Sequence, residues 1–381
     1  MKASSLPHRI SFNLSHIRLI RPRAVSFPFS LSGQLPRGLS TGDLLPVAEQ
    51  SRKRVVVFRA LPGLGDLLCV VPALRALRAG EPDAEITLLG LPQAAAFVAR
   101  FPHLIDRLLP FPGFPGLPEQ PVRNPELLAF LAGVQGQYDL ALQLHGNGPI
   151  SNMAVALLGA RQMAGRFLPG QWCPDPGYFL PSEDNAPEPL VWLRLMEFLG
   201  YPSQGEALEF PIHEEDRAAL RALPGAEVLT PGSYAVLHPG ASRAEHRWMP
   251  QRFAAVGERL AERHLRVVLT GTAQEAEVTG AVGELLRGLG VPEVLDLTGQ
   301  TNLGTLAALL AGARLLVCND TGVSHLAAAT RTPSVVVFLG ADPARWAPLD
   351  RDRHRIVVGD DLGAVLAEMD AQLEREPHLV R

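Results

Sequence analysis

Three segments of the chain join polar side chains to glycine directly after an apolar run of strand length. They are residues 59–66, 238–250 and 317–325. Glycine lets a backbone approach a ligand closely, and parallel sheets bind ligands at the carboxyl ends of their strands. We therefore interpret the three segments as candidate binding loops of an α/β protein.

The first segment supplies a candidate acid–base group. Asp66 follows Gly63 and Gly65 at the predicted start of a helix. A dinucleotide-binding fingerprint is excluded, because Leu68 stands where the third glycine belongs and the next strand ends at Gly90 without an acidic residue. Two interpretations of Asp66 stay open: a carboxylate that caps the helix, or a general base that faces a cleft.

The second segment is suited to an anion. Small residues around Gly240 leave backbone N–H groups accessible, and a hydroxyl and three basic side chains follow: Ser242, Arg243, His246 and Arg247. Accessible N–H groups and positive charge are typical of a phosphate or pyrophosphate site. The alternative is an ordinary solvated loop whose Trp248 packs onto the domain.

The third segment lies where another helix is predicted to begin. Asp320, Thr321 and Gly322 precede this helix, and His325 follows one turn later. A helix N-terminus presents free N–H groups and a partial positive charge, so it could hold the same anion. A plain N-cap followed by a core histidine is the competing interpretation.

Two weaker candidates follow strands of the same half of the chain. Gln274 or Glu275 could accept a ribose hydroxyl, although a solvated acid in a first helical turn explains Glu275 equally well. Backbone groups of residues 297–302 could line a base pocket. The loops of this half therefore predict a nucleotide diphosphate site, with the Asp66 carboxylate facing it from the other half.

The elements that must position these loops alternate between strand and helix patterns, which indicates parallel sheets covered by helices. One such half spans residues 53–210 and the other 233–360, with a linker at 211–232 that is rich in Pro, Gly and acidic side chains. A last helix is predicted from residue 361. Residues 1–52 are basic and lack a sustained period, which predicts a poorly ordered arm.

Composition excludes several classes of protein. With 35 basic and 39 acidic side chains, the formal charge of −4 argues against a protein that mainly binds nucleic acid. The three cysteines are far apart and give neither a disulfide framework nor zinc spacing. No apolar run is long enough to span a bilayer. No metal-ligand spacing, nucleophile elbow or P-loop is found, so we expect no metal and no cofactor.

Several motifs together resemble those of glycosyltransferase family 9, the bacterial ADP-heptose:lipopolysaccharide heptosyltransferases and their relatives. They are Leu64-Gly-Asp66 with residues 71–78, Tyr138-Asp-Leu followed by Gly146, His238-Pro-Gly-Ala-Ser242 with Arg247-Trp248, Asn319-Asp-Thr-Gly with His325, and Asp342-Pro-Ala-Arg-Trp346. The resemblance covers residues 53–375 in matching order.

The resemblance implies a GT-B fold: two Rossmann-like parallel-sheet domains facing a cleft. The acceptor side would be residues 53–210, the nucleotide-sugar side residues 233–360, and the helix at 361–381 would cross back to the N-terminal domain. It implies inverting, metal-independent transfer of a sugar, with heptose from an ADP-linked donor expected, to a saccharide or glycolipid hydroxyl in cell-envelope polysaccharide synthesis. We expect a cytoplasmic monomer with peripheral contact to the inner face of the membrane.

The resemblance also assigns roles to single residues. Asp66 matches the proposed base, Ser242 a phosphate-contacting hydroxyl, and the residues at 320–322 and His325 the donor-binding loop. Thr301 falls near an adenine-contacting position, and Gln274 or Glu275 near a ribose-contacting acid. His246 replaces a lysine that is common in the family. The alternatives are an epimerase or hydrolase on the same scaffold, and a non-catalytic nucleotide-sugar binder.

Overall fold

A computed structural model of the protein describes residues 52–146, 148–182 and 186–375. The predicted arm at 1–52, except Arg52, lies outside the described residues, as do residues 376–381 of the last segment. Two six-stranded sheets, each parallel throughout, form the framework. We call the elements around the first sheet the N-terminal lobe and those around the second the C-terminal lobe.

The N-terminal lobe has strand order β3-β2-β1-β4-β5-β6. Its strands are β1 (Arg54–Phe58), β2 (Glu85–Gly90), β3 (Arg107–Pro110), β4 (Leu140–Gln143), β5 (Gln162–Phe167) and β6 (Phe179–Pro181). Its helices are α1 (Leu64–Leu68), α2 (Val71–Gly80), α3 (Ala95–Arg100), α4 (Asn124–Val134), α5 (Pro149–Ala156) and α6 (Glu188–Phe198), with a 3₁₀ turn at Pro92–Ala94.

The C-terminal lobe has strand order β12-β11-β10-β7-β8-β9. Its strands are β7 (Tyr234–His238), β8 (Arg266–Leu269), β9 (Leu295–Asp296), β10 (Leu315–Asn319), β11 (Ser334–Phe338) and β12 (His354–Val358). Its helices are α7 (Glu214–Arg221), α8 (Pro250–Glu262), α9 (Ala276–Gly288), α10 (Leu303–Gly312), α11 (Gly322–Ala329), α12 (Pro343–Trp346) and α13 (Leu362–Leu373). Short 3₁₀ turns lie at Ala226–Val228, Ala244–His246 and Ala273–Glu275.

Both sheets follow one plan, because each has its first strand beside the fourth and the order reverses between them. This is the doubly wound arrangement whose switch point receives ligands. The continuous apolar runs of the central strands explain it: Val55 and Val57 of β1 pack on one face of the sheet and Val56 and Phe58 on the other. The predicted α/β fold with two Rossmann-like sheets is confirmed.

Some predicted elements differ from the structure. The helix predicted to start near Asp66 is two helices, α1 and α2, which a short break at Cys69 separates. The strands β5, β6 and β12 were not predicted. The linker expected at 211–232 contains α7, which packs on α10 and whose Asp216 accepts hydrogen bonds from Arg100 of the N-terminal lobe.

The last helix also differs from expectation. We expected the segment 361–381 to cross back to the N-terminal lobe. Instead, α13 packs on β11, β12 and α8 of its own lobe, with Val365 and Met369 fully buried there. The apolar side chains of this helix complete the outer face of the second sheet, so they are satisfied without a crossing.

Candidate active site

The two lobes meet around a cavity of about 970 Å³. Its floor is the contact between α1 and the start of α11: a Cβ added to Gly322 would lie 3.0 Å from the Cβ of Leu64. All three predicted binding loops open into this cavity. It is lined by Gly63, Gly65, Asp66, Ser242, Arg243, His246, Arg247, Gln274, Glu275, Thr301, Asp320, Thr321, Gly322 and His325. The structure therefore brings together every predicted site residue except Gly240, while their roles stay predictions.

Asp66 lies at the third position of α1 and is half-buried. Its carboxylate accepts a hydrogen bond from the backbone N–H of Gly63, as a helix-capping acid does, and it also faces the cavity. Burial raises the pKa of Asp66, and the Arg59 guanidinium, 3.4 Å from its Oδ1, partly offsets this rise. A carboxyl with a raised pKa in a cleft is suited to proton transfer near neutral pH.

The three glycines were predicted to let a ligand approach the backbone closely. The structure shows another reason for glycine at these positions. None of them has a positive φ. A Cβ at Gly63 would lie 2.4 Å from Oδ2 of Asp66, and a Cβ at Gly65 would lie 2.6 Å from Cδ2 of His325. At Gly240 the Cβ would lie 2.1 Å from Oε1 of Glu275. The missing side chains thus admit protein groups that line the cavity.

The loop after β7 is held in place by the end of β10. Asn319 is fully buried, and its amide donates a hydrogen bond to the carbonyl of Pro239 at 2.8 Å while its Oδ1 accepts one from the backbone of Trp248 at 2.9 Å. Both ends of the loop are therefore fixed. Trp248 packs into the core, as the competing interpretation of this loop expected, yet Ser242 and Arg243 remain exposed at the cavity.

The other two basic residues of this loop are more constrained. Nε of Arg247 donates a hydrogen bond to the carbonyl of Ala241 at 3.0 Å, so part of this side chain braces the loop. The ring of His246 packs near Gly340, where a Cβ would lie 2.8 Å from its Nε2. Among the basic groups of the loop, Arg243 is the most exposed to a ligand.

The loop after β10 begins α11 without a side-chain cap. Thr321 is the N-cap residue, but its hydroxyl makes no capping hydrogen bond. Within the described part of the chain, no group donates a hydrogen bond to the Asp320 carboxylate, and burial raises its pKa to about 6. The plain N-cap interpretation therefore does not account for either side chain, whereas a bound ligand would satisfy both.

His325 is buried one turn into α11 and contacts both lobes. Its Nδ1 lies 3.6 Å from Sγ of Cys69, and its ring meets Trp346 edge-on. Burial lowers the pKa of His325 to about 4, so this ring is neutral at pH 7. It can offer an anion a hydrogen bond but no positive charge.

The residues expected at the ribose and base also line the cavity. Oε2 of Glu275 accepts hydrogen bonds from the backbone and the hydroxyl of Thr272, which makes Glu275 a capping acid of its turn as well as a lining residue. Gln274 is exposed there, and Thr301 lies beside the apolar side chains of Leu303 and Leu306.

Several lining residues were not among the predicted site residues. His238, whose Nδ1 lies 3.0 Å from Oγ1 of Thr270, ends the buried strand β7 and has its pKa lowered by burial. Trp346 enters from α12. Trp346 ends the Asp-Pro-Ala-Arg-Trp motif at residues 342–346. This motif was found in the sequence, but its residues were given no role, so the motif was the signal that could have identified Trp346. Across residues 52–146, 148–182 and 186–375, no three His, Cys, Asp or Glu side chains are grouped as a metal ion requires.

We expect Asp320→Asn to stabilise the ligand-free protein at pH 8 but not at pH 4. The carboxyl pKa is raised from 3.8 to about 6, so the folded state bears a growing penalty as pH rises through this interval. Asn carries no charge, and the gain at pH 8 should approach about 2–3 kcal/mol. Thermal unfolding of both proteins at the two pH values measures it. Equal Tm differences at the two pH values would contradict this assignment.

Comparison with known proteins gives a consistent family. Residues 191–366 match the model of glycosyltransferase family 9 (heptosyltransferase). Lipopolysaccharide heptosyltransferase 3 of Escherichia coli K12 is 25% identical over 295 residues, 74% of this chain and 82% of that protein. A second lipopolysaccharide heptosyltransferase 3, from Escherichia coli, is 30% identical over 128 residues, which span only 37% of its length and 34% of this chain.

Solved structures show the same fold. The family 9 glycosyltransferase of Veillonella parvula superposes with a TM-score of 0.67 at 20% identity, covering 85% of this chain and 92% of that one. Escherichia coli heptosyltransferase WaaC with ADP gives a TM-score of 0.63 at 21% identity, over 84% and 99%. UDP-GlcNAc 2-epimerase of Methanocaldococcus jannaschii gives 0.53 at 13% identity, over 86% and 94%. The GT-B fold is thereby established, and it is shared by more than one activity.

Proposed function

The chain belongs to glycosyltransferase family 9, and we propose that it transfers a sugar from a nucleotide diphosphate to an acceptor hydroxyl with inversion at the anomeric carbon. One observation carries this proposal. A carboxylate of the N-terminal lobe, Asp66, and two anion-suited loops of the C-terminal lobe line one cavity. A transferase needs both groups around the same donor sugar.

The proposed reaction assigns one task to each side of the cavity. The acceptor oxygen attacks the anomeric carbon and gives its proton to Asp66, while the bond from that carbon to the diphosphate oxygen breaks. The electron pair of this bond leaves with the diphosphate. Arg243 and the uncapped N–H groups at the start of α11 stabilise the added charge.

The proposed donor is an ADP-linked heptose. This assignment rests on the relatives, which are named as lipopolysaccharide heptosyltransferases, and on a neighbour that was solved with ADP. In the cavity, Thr301 with Leu303 and Leu306 offers a polar and an apolar surface beside which a base would lie. Ser242 is exposed at the cavity, where a phosphate oxygen would accept a hydrogen bond from its hydroxyl.

The proposed acceptor is a saccharide or glycolipid hydroxyl of cell-envelope polysaccharide. The acceptor class again follows from the relatives. None of the helices in the described part of the chain is long and apolar enough to cross a membrane.

An epimerase or hydrolase on the same scaffold is the second candidate, because the 2-epimerase fold matches over most of the chain. Such an enzyme consumes the donor without an acceptor. A transferase leaves most of the donor intact until an acceptor saccharide is added. Product analysis with and without acceptor separates the two functions.

We expect ADP to raise the Tm of the protein more than UDP or GDP does. A ligand that binds only the folded state stabilises it by about 2.7 kcal/mol at a hundred times its Kd. Arg243→Ala should reduce the shift, because the proposed mechanism assigns its exposed guanidinium to the diphosphate. Arg287→Ala, on the outer helix α9, is the matched control and should leave the shift unchanged. Equal shifts for all three nucleotides would exclude the ADP assignment.

A further inference from the structure

Glu188, the first residue of α6, is an acid with almost no contact with solvent. Its side chain is 2% exposed, yet it accepts hydrogen bonds from three different side chains. NH2 of Arg59 donates at 3.0 Å, Nε1 of Trp192 at 2.9 Å, and Nε of Arg345 at 3.0 Å. A carboxylate buried to this degree persists only when it is fully paired.

One of its partners, Arg59, is shared with Asp66. Arg59 is fully buried after β1, where NH1 donates to the carbonyl of Leu144 at 2.7 Å and the guanidinium lies over the ring of Trp192. Its NH2 lies 3.0 Å from Glu188 but 3.4 Å from Oδ1 of Asp66. The guanidinium therefore lies closer to the Glu188 carboxylate than to the Asp66 carboxylate, while its Nε donates a hydrogen bond to the main-chain carbonyl of Asp66 at 3.2 Å.

The other charged partner, Arg345, comes from the C-terminal lobe. It lies on α12, and both its Nε and its NH2 are 3.0 Å from Oε2 of Glu188. This two-point contact joins the lobes directly. Arg345 also lies over the ring of Trp346, which lines the cavity, so the contact adjoins the cavity wall.

We propose that Glu188 and Arg345 are positioning residues that act on Asp66 through Arg59 when the lobes are joined. Glu188 holds the Arg59 guanidinium closer to itself than to the Asp66 carboxylate and so preserves Asp66 as a proton acceptor, and Arg345 limits this effect by sharing the Glu188 carboxylate. This proposal rests on the proposed function, because it assigns a task to the base of that reaction. We call the Glu188–Arg345 contact the interlobe clasp. It deepens the mechanism by making the competence of an N-terminal base depend on a C-terminal side chain.

The charged groups around Asp66 determine the direction in which each residue of the clasp shifts its pKa. Burial raises the pKa of Asp66, Arg59 lowers it, Glu188 raises it and Arg345 lowers it. Two other titratable groups adjoin α1, and both are neutral at pH 7: burial raises the pKa of Cys69 and lowers the pKa of His325 to about 4. Asp320 faces the same cavity from the loop before α11, but it is not one of the groups that shift the pKa of Asp66.

Replacing Glu188 and replacing Arg345 should therefore shift the pKa of Asp66 in opposite directions. Glu188→Gln removes a negative charge and frees Arg59 to pair with Asp66, so the acid limb of the kcat/KM profile should move to lower pH. Its plateau should fall about 10-fold, less than the about 10²–10⁴-fold supplied by a positioned base itself. Arg345→Gln should move the acid limb to higher pH, and Arg345→Lys, which keeps the charge, should restore it.

Asp216→Asn is the matched control for Glu188→Gln. Asp216 is also a buried carboxylate paired with an arginine of the other lobe, Arg100, but it does not act on Asp66. This variant should change the Tm without shifting the acid limb of the kcat/KM profile. If Glu188→Gln does not fold, the two Arg345 variants still decide the matter, since Arg345 is half exposed.

A ¹³C titration of the Asp66 carboxyl, assigned by its loss in Asp66→Asn, separates failure of the clasp from failure of the proposed function. If no transfer is found but the titration moves down in Glu188→Gln and up in Arg345→Gln, the function is wrong and the clasp stands. If transfer occurs while both variants leave the titration and the limb unmoved, or move them the same way, the clasp is refuted.

Discussion

Asp66→Asn should lower the rate of sugar transfer about 10²–10⁴-fold while ADP binding stays close to that of the parent protein. Asn has the size of Asp and can still accept the hydrogen bond from Gly63, so the start of α1 is preserved. It cannot take a proton from an acceptor hydroxyl. The loss should therefore appear in kcat, measured with saturating donor, and ADP affinity should be measured by calorimetry.

Asp361→Asn provides the matched control for this prediction. Asp361 is the N-cap of α13, where its Oδ1 accepts a hydrogen bond from the backbone of Ala364 at 3.0 Å, and it is not among the residues that line the cavity. Its replacement tests what losing a capping carboxylate does by itself. If Asp66→Asn behaves like Asp361→Asn and transfers sugar at the parent rate, Asp66 is only a cap and another group accepts the proton.

The sequence predicted the cavity well because its parts are local. Each binding loop directly follows a buried strand, and parallel strands bring their carboxyl ends to one edge. Asp66, Ser242, Asp320 and His325 could therefore be assigned to one site from their positions after strands. The spacing of residues along the chain did not predict that α7 forms or where α13 packs. Both depend on which apolar faces of the lobes remain uncovered when the sheets form.

The strands β5 and β6 were missed for a related reason. Gln162–Phe167 contains Gln, Gly and Arg, and Phe179–Pro181 has only three residues. Neither has the β-branched run that marks a central strand, and both lie toward an edge of the first sheet.

The clasp could not have been predicted from the chain. Arg59, Glu188 and Arg345 are separated by 129 and 157 residues, and Arg345 meets Glu188 only because the lobes join. Glu188 resembles any acid in the first turn of a helix, where it would be read as a complement to the helix dipole. Its full burial and its two arginine partners exist only in the folded protein, which is why charge networks are the part of a site that sequence predicts least.

The contact between α1 and α11 leads to the second large effect, at Gly65. We expect Gly65→Ala to lower kcat by about 10²-fold, the size of loss that follows when reacting groups are misplaced by about 1 Å. The new methyl group would lie 2.6 Å from Cδ2 of His325, which is closer than such atoms can approach. His325 is buried between Cys69 and Trp346, so α1 must move instead, and Asp66 moves with it.

Gly280→Ala shows what the same substitution does where space is open. Gly280 lies inside α9, and a Cβ there would meet nothing within 4 Å. This change should stabilise the protein by about 0.5–1 kcal/mol, because alanine favours a helix, and should leave kcat unaltered. A Gly65→Ala protein with the parent kcat would mean that the lobes adapt to an extra methyl group without moving the base. Full activity would then not require that α1 and α11 touch, and the close approach seen at Gly65 would be a matter of stability alone.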